Sequence, residues 1–241
     1  GWTGAVAYND KWLDKPLHWR NPRRIFVCSM GDLFHPSVSL EFITKVMSII
    51  ERCKQHTFQV LTKRPVQMAW FFEDISPPSN LWLGVTCENQ KCADERIPIL
   101  LQIPAAVRFV SIEPMLERID IRPYLPPIVT VGKNHKLIDR PKERIIADQE
   151  FNQVIIGCES GAKRRHCKIE DVRDLVAQCR SAGVPPYVKQ IPMPWCGKKY
   201  RGQWDTMPSI EEIDNMNSIR SYVSHDPNEW PEELRIRKYP K

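Results

Sequence analysis

The chain has 241 residues, 42% of them hydrophobic and 27% charged, and its 35 basic and 29 acidic side chains leave a net charge of +6. That is enough chain for one large α/β domain, or two small ones, around a proper core. No apolar run approaches the ~18 residues of a membrane span and no signal-peptide pattern opens the chain, so the composition excludes a membrane protein and sets the expectation of a cytoplasmic one. The mild positive charge favours an anionic partner, nucleic acid or a nucleotide.

Strands and helices alternate along the sequence. "RIFVCSM" (24–30) is an apolar run of β-formers, followed by the polar loop "GDLFHPSV". In "SLEFITKVMSIIERC" (39–53), Leu40, Phe42, Ile43, Val46, Met47, Ile49 and Ile50 recur at helical spacing. "TFQVL" (57–61) is a strand, and a helix opens after it on Pro65, where the missing N–H costs nothing. "LWLGVT" (81–86) predicts a strand, a helix starts near Gln90, and "VRFVSI" (107–112) predicts the next strand. Residues 117–150, rich in proline and charge, read as an insertion or long loop. "FNQVIIGC" (151–158) is a strand, 169–183 a helix closed by Gly183, and "PPYVKQI" (185–191) the last strand. The tail, 194–241, carries Trp195, Trp204 and Trp230 without periodicity and is expected to wrap the surface of a domain spanning 1–193.

Continuous apolar strands between amphipathic helices predict a parallel sheet covered by helices. An open doubly wound sheet and a (β/α) barrel both satisfy this. No Gly-rich dinucleotide loop follows any strand, which weakens the doubly wound alternative.

The eight cysteines, at 28, 53, 87, 92, 158, 167, 179 and 196, are irregularly spaced and include no Cys-x-x-Cys. They read as reduced thiols. Cys158, His166 and Cys167 form the nearest approach to a metal group, but no fourth ligand is evident.

Polar residues cluster where the strands stop. Asp32 and His35 follow the first, Thr62, Lys63 and Arg64 the second, and Thr86, Glu88 and Asn89 the third. Glu113 follows the fourth, Glu159 and Ser160 the fifth, and Lys189 and Gln190 sit near the end of the last. In a parallel barrel all of these emerge on one face, where active sites of such folds lie. They are acids, bases and amides rather than the Gly, Ser and Asn of plain turns.

Six blocks, "RRIFVCSMGDLFHPSV", "HTFQVLTKRP", "LWLGVTCENQ", "VRFVSIEPML", "VIIGCESGAKRR" and "AGVPPYVKQ", resemble in order and spacing a phage- and prophage-associated family of gene-product-thirty-seven/sixty-eight type. That family belongs to the radical SAM superfamily and is distantly similar to spore photoproduct lyase. The resemblance covers roughly residues 12–210. It departs at Cys158, where members commonly have Gly, and at "PPYV", where they have an aromatic run.

The resemblance implies a partial (β/α) barrel holding S-adenosylmethionine and a [4Fe-4S] cluster on a Cys-x3-Cys-x2-Cys loop. Thiolates suit soft iron at low potential. No trio of the eight cysteines has that spacing, so the cluster segment is expected upstream of Gly1, in a first strand-loop unit that this chain lacks. On the resemblance, Lys63 pairs with the methionine carboxylate, and Asp32 accepts from its ammonium, with Thr62 beside them. Thr86, Glu88 and Asn89 suit ribose hydroxyls. Glu113 orients cofactor or substrate; Arg64, His35, Glu159, Ser160, Lys189 and Gln190 face substrate. Salt bridges to Arg64 or Lys189 explain Glu113 and Glu159 equally well, and helix capping explains His35. Lys163, Arg164, Arg165 and His166 form a basic loop, either a phosphate-binding rim or a solvated charge run.

The reading is therefore a radical SAM-type enzyme with a reductant protein as partner and a substrate not identified by the sequence, for which the charge and the resemblance suggest a nucleic-acid component. One alternative is a cluster-less barrel that binds nucleotide or nucleic acid without catalysis. The other is a metal-dependent hydrolase built on Asp32, His35, Glu113 and Glu159, which the scarcity of histidine disfavours.

Overall fold

A computed structural model describes residues 6–126, 151–161, 164–194 and 221–240. The strands are β1 (Arg24–Val27), β2 (Thr57–Thr62), β3 (Leu81–Thr86), β4 (Val107–Ile112), β5 (Gln153–Gly157), β6 (Pro186–Pro194) and β7 (Ser221–Ser224). The helices are α1 (Asp10–Leu13), α2 (Leu40–Arg52), α3 (Pro65–Phe71), α4 (Gln90–Gln102) and α5 (Ile169–Ser181). The strands lie side by side in chain order. β1 to β6 are parallel, and β7 runs antiparallel to β6. The sheet curls into a half-barrel with helices outside. Each βα unit places its strand beside the one before, because a right-twisted strand and a right-handed crossover pack back onto the sheet in only one hand.

Alternate strand residues make the core. Phe58, Val60, Leu81, Leu83, Val85, Val110, Ile112, Val154, Ile156 and Val188 are buried in one cluster with Ile43, Val46 and Ile50 of α2, Met68 of α3, Ile97 and Leu100 of α4, and Val172 and Leu175 of α5. Burying each such side chain stabilises by about 1.5–3 kcal/mol. Helix starts are fixed by side chains: the Ser39 hydroxyl accepts from Phe42 N–H at 3.3 Å and Asn89 Oδ1 from Cys92 N–H at 2.8 Å.

Three expectations change in detail. β1 stops at Val27 rather than Met30, because Cys28 adopts a left-handed backbone with φ 57° and turns the chain out of the sheet. The link after β4 is not wholly loop: Ile119, Ile121 and Leu125 are buried, and the buried Gln178 of α5 bonds Ile121 N–H and Ile119 C=O at 2.9 and 3.0 Å. Residues 127–150 of that link lie outside the described residues. The described part of the tail, 221–240, joins the core. It supplies β7, a fully buried Trp230 whose indole N–H donates to Ser224 Oγ at 3.1 Å, and buried Leu234. Ile236 C=O accepts from Val188 N–H at 2.8 Å, so the tail also lines the β6 edge. Trp195, Trp204 and Cys196 lie outside the described residues. Among the described residues no helix is long and apolar enough to cross a membrane.

Gly84 and Phe109 are register partners on β3 and β4. A Cβ at Gly84 would lie 2.5 Å from the Phe109 ring, which is fully buried and has nowhere to move. Gly84→Ala is expected to destabilise by about 1–3 kcal/mol through overpacking. Urea unfolding of Gly84→Ala, Phe109→Leu and the double variant checks it: relief in the double variant is the expected coupling.

Candidate functional site

Because β1 to β6 run parallel, their C-terminal ends share one rim. Below the rim the concave face encloses a bowl of about 1310 Å³. Its lining draws on every parallel strand or the loop after it: Phe26 and Cys28, Gln59 and Lys63, Thr86, Ser111 and Glu113, Ile155, and Tyr187 with Lys189. The register sets Thr86, Ser111, Ile155 and Tyr187 in one row across the floor.

Asp32 ties the end of β2 to the loop after β1. Its Oδ1 accepts from Thr62 Oγ1 at 2.7 Å and Phe34 N–H at 3.0 Å; its Oδ2 accepts from Arg64 Nη1 at 2.7 Å and Lys63 N–H at 3.3 Å. A carboxylate has about four acceptor sites, so Asp32 is full. It holds the rim, and its acceptor sites are taken up within the protein.

Glu88 is only 12% exposed and takes two cations: Lys63 Nζ on Oε1, and Arg96 Nη1 on Oε2 at 2.9 Å. Burial pushes its carboxyl up, but the bonds from Lys63 and the nearby Arg96 outweigh this and hold it below the usual range. Arg96 also donates to Thr86 C=O at 2.5 Å. Glu88 and Asn89 therefore build the wall behind Lys63 and do not line the bowl. Lys63 is 53% exposed, lines the bowl, and keeps ammonium donors beyond the one given to Glu88.

Glu113, at 20% exposure, meets Lys189 Nζ at 2.9 Å, and both line the bowl. Gly157 makes the room, since a Cβ there would stand 3.3 Å from Glu113 Cγ and Cδ. Among the described residues Lys189 is the one partner of Glu113, so acceptor sites remain open.

The other expected residues go elsewhere. Glu159 turns to Arg165, with a bidentate guanidinium contact at 2.9 Å and a backbone bond at 2.7 Å, and it does not line the bowl. Gln190 is buried and donates to Cys158 C=O, and Ser160 is exposed away from the lining. His35 lines the bowl, but its Nδ1 accepts from Ser37 N–H at 3.1 Å, a turn bond. Arg64 lines the bowl while paired to Asp32. In the basic loop Arg165 is paired and His166 exposed; Lys163 lies outside the described residues.

The thiols do not assemble. Cys28 alone among the described cysteines lines the bowl, and partial burial together with the Asp32 carboxylate pushes its thiol up. Cys167 Sγ donates to Lys168 C=O at 3.8 Å, and the neighbouring Cys158 thiol together with burial pushes the Cys167 thiol up, away from a thiolate. Among the described residues no group of three or more His, Cys, Asp or Glu is placed to hold a metal. The described residues therefore do not fit a [4Fe-4S] cluster, and the Asp32, His35, Glu113, Glu159 hydrolase set does not come together.

Sequence reading missed Phe26, Gln59, Ser111, Tyr187, Arg96 and Tyr239. The first four lie inside strands, where period-2 alternation hides which face is the bowl until the curl is known. Tyr239 reaches it from the far end of the chain.

The family described as a protein of unknown function, DUF5131, matches residues 1–220, and the chain belongs to that family. Comparisons with curated proteins and with solved structures find no significant match.

Two outcomes test this arrangement. Asp32→Ala leaves Arg64 and the Thr62 hydroxyl without their carboxylate and is expected to destabilise by about 2 kcal/mol in urea unfolding. The Arg165 bonds bring the Glu159 carboxyl down to about 2. A carboxylate depressed below its unfolded value of ~4.3 contributes above that value and loses the contribution as pH falls toward the folded one. Arg165→Ala is expected to return Glu159 to the ordinary carboxylate range, read by a ¹³C carboxyl NMR titration.

Proposed function

We propose that this DUF5131 protein binds S-adenosylmethionine in the bowl of its half-barrel and acts as a radical SAM-type enzyme, as the resemblance of its strand-end blocks implies. The observation that supports the reading is the split of the rim into saturated and unsaturated charges. Asp32 is fully engaged in holding the wall, and Glu88, held between Lys63 and Arg96, stands outside the bowl. Lys63, Lys189 and Glu113 face the same cavity with bonding capacity left. Two ammonium groups and one open carboxylate suit a zwitterion: the lysines take its carboxylate and Glu113 its ammonium. Thr86 and Ser111, in one row of the floor, present hydroxyls at the level a ribose would occupy. Glu113 thus replaces Asp32 in the role expected of a strand-end acid.

An iron–sulfur cluster supplies the electron that cleaves the sulfonium in such enzymes. Its ligands do not come from the described residues, so no step of that chemistry is assigned to them, and a reductant partner belongs to the same reading. Binding without catalysis is the second reading, favoured by the lack of a ligand group among the described residues.

Isothermal titration of the full chain with S-adenosylmethionine tests the proposal. A 1:1 complex is expected, weakened about tenfold or more by Lys63→Ala and by Glu113→Gln, since each removes a charge-assisted bond. Absence of binding at millimolar ligand, or affinities unmoved by both variants, would sink it.

A further inference from the structure

Aromatic rings line part of the bowl. Phe26 on β1 is 42% exposed, an unusual fraction for a phenyl ring on a sheet face, and Tyr239 is 39% exposed. Both line the bowl together with Tyr187. The two tyrosine rings lie 5.1 Å apart at a tilt of 51°. Arg24, two residues before Phe26, sets its guanidinium 3.5 Å from the Tyr239 ring centroid and 5.8 Å from that of Trp82. The Tyr187–Arg237 bridge and the bond from Val188 N–H to Ile236 C=O fix the tail that carries Tyr239. Arg24, Tyr187 and the tail bonds thus position the Tyr239 ring, while Phe26 and Tyr239 both keep exposed surface.

Gln59 marks what lies over them. It pairs in register with Phe26 on one side and Trp82 on the other, and it lines the bowl. No described residue bonds its side-chain amide. An amide beside an open aromatic surface offers a donor and an acceptor to the edge of a ring whose faces are stacked. A purely apolar guest would leave that amide unpaired. Gln59 also stands four residues before Lys63, roughly 13 Å away at strand rise, so a ring edge at the amide and a group held by Lys63 are apart.

We propose that this wall binds a planar heteroaromatic ring of nucleobase type, stacked on Phe26, Tyr187 and Tyr239 with its edge toward Gln59. The ring is either the adenine of a ligand whose other end reaches the rim or the base of a second molecule. The bowl has room for both, at about 1310 Å³ against the ~300–1,000 Å³ of a usual small-molecule pocket. The inference shares its cavity with the proposed function but stands on different residues.

Saturation-transfer and chemical-shift NMR titrations of the full chain with adenosine and with uridine test it; ribose and indole are the controls. Both nucleosides are expected to bind, ribose not at all, and indole more weakly, because its edge offers the amide a donor but no acceptor. Phe26→Ala and Tyr239→Leu, the latter keeping bulk at the tail contact, are expected to weaken nucleoside binding about tenfold, the size of one lost stack. Gln59→Leu should weaken nucleosides more than indole. Uridine displaced by saturating S-adenosylmethionine identifies the ring as the cofactor's; uridine bound alongside it identifies a second molecule. If nucleosides bind and S-adenosylmethionine does not, the rim reading falls and the wall stands. No nucleoside binding, or binding indifferent to both aromatic variants, overturns the inference.

Discussion

Each carboxylate that a parallel strand delivers to this rim is met by a cation from another part of the rim. Asp32 meets Arg64, Glu88 meets Lys63 and Arg96, Glu113 meets Lys189, and Glu159 meets Arg165. Parallel topology forces the pairing: it gathers the strand ends at one edge, where half-buried acids would otherwise repel one another in a poor dielectric. Individually such pairs stabilise little, since attraction is offset by lost hydration and side-chain freedom. Collectively they fix where each charge points. The difference between a filled acid such as Asp32 and a partly filled one such as Glu113 then separates wall from binding surface.

Concavity has its own constraint. Curling a sheet crowds the side chains on its inner face, so the bowl stays open only where the middle strands carry small residues. Gly84 admits the Phe109 ring, Gly157 admits Glu113 and Gln190, and Thr86 and Ser111 keep the floor low between them. Larger rings, Phe26 and Tyr187, sit toward the two sides of the half-barrel, on β1 and β6. Small centre and large flanks give a cavity with an aromatic side and a polar floor, and both follow from side-chain volume before any ligand is considered.

The alternation of β and α units was legible, because each strand is a compact apolar run and each long helix carries its stripe at the right period. The parallel order followed from it. The strand-end clusters were legible as a set, since a rim is the one place where such residues recur after every strand. Their individual roles were not. Lys63 and Glu88 stand 25 positions apart and Lys189 and Glu113 76 apart, and no local pattern says which acid meets which base. Cys28 ended β1 early through its backbone conformation, and apolar content alone does not report that. β7 is four residues long in a stretch without periodicity, so its pairing to β6 depends on an edge that only the folded sheet presents.

The aromatic end of the bowl joins the two extremes of this chain order. Arg24 opens the first strand, and Tyr239 lies near the last residue, yet the guanidinium rests on the ring. Gln153 Nε2 donates to Lys238 C=O at 2.8 Å, which ties the same tail to the middle of the sheet. The tail therefore reaches the sheet at β1, β5 and β6, and its Tyr239 also faces the cavity. Packing that completes the fold thus also places a ring of the site. Arg237 of the same tail also donates to Lys189 C=O at 3.3 Å, on the strand that carries Tyr187 two residues earlier. The tail therefore braces the aromatic rings and the Lys189 side of the rim together, and loosening it would be felt at both.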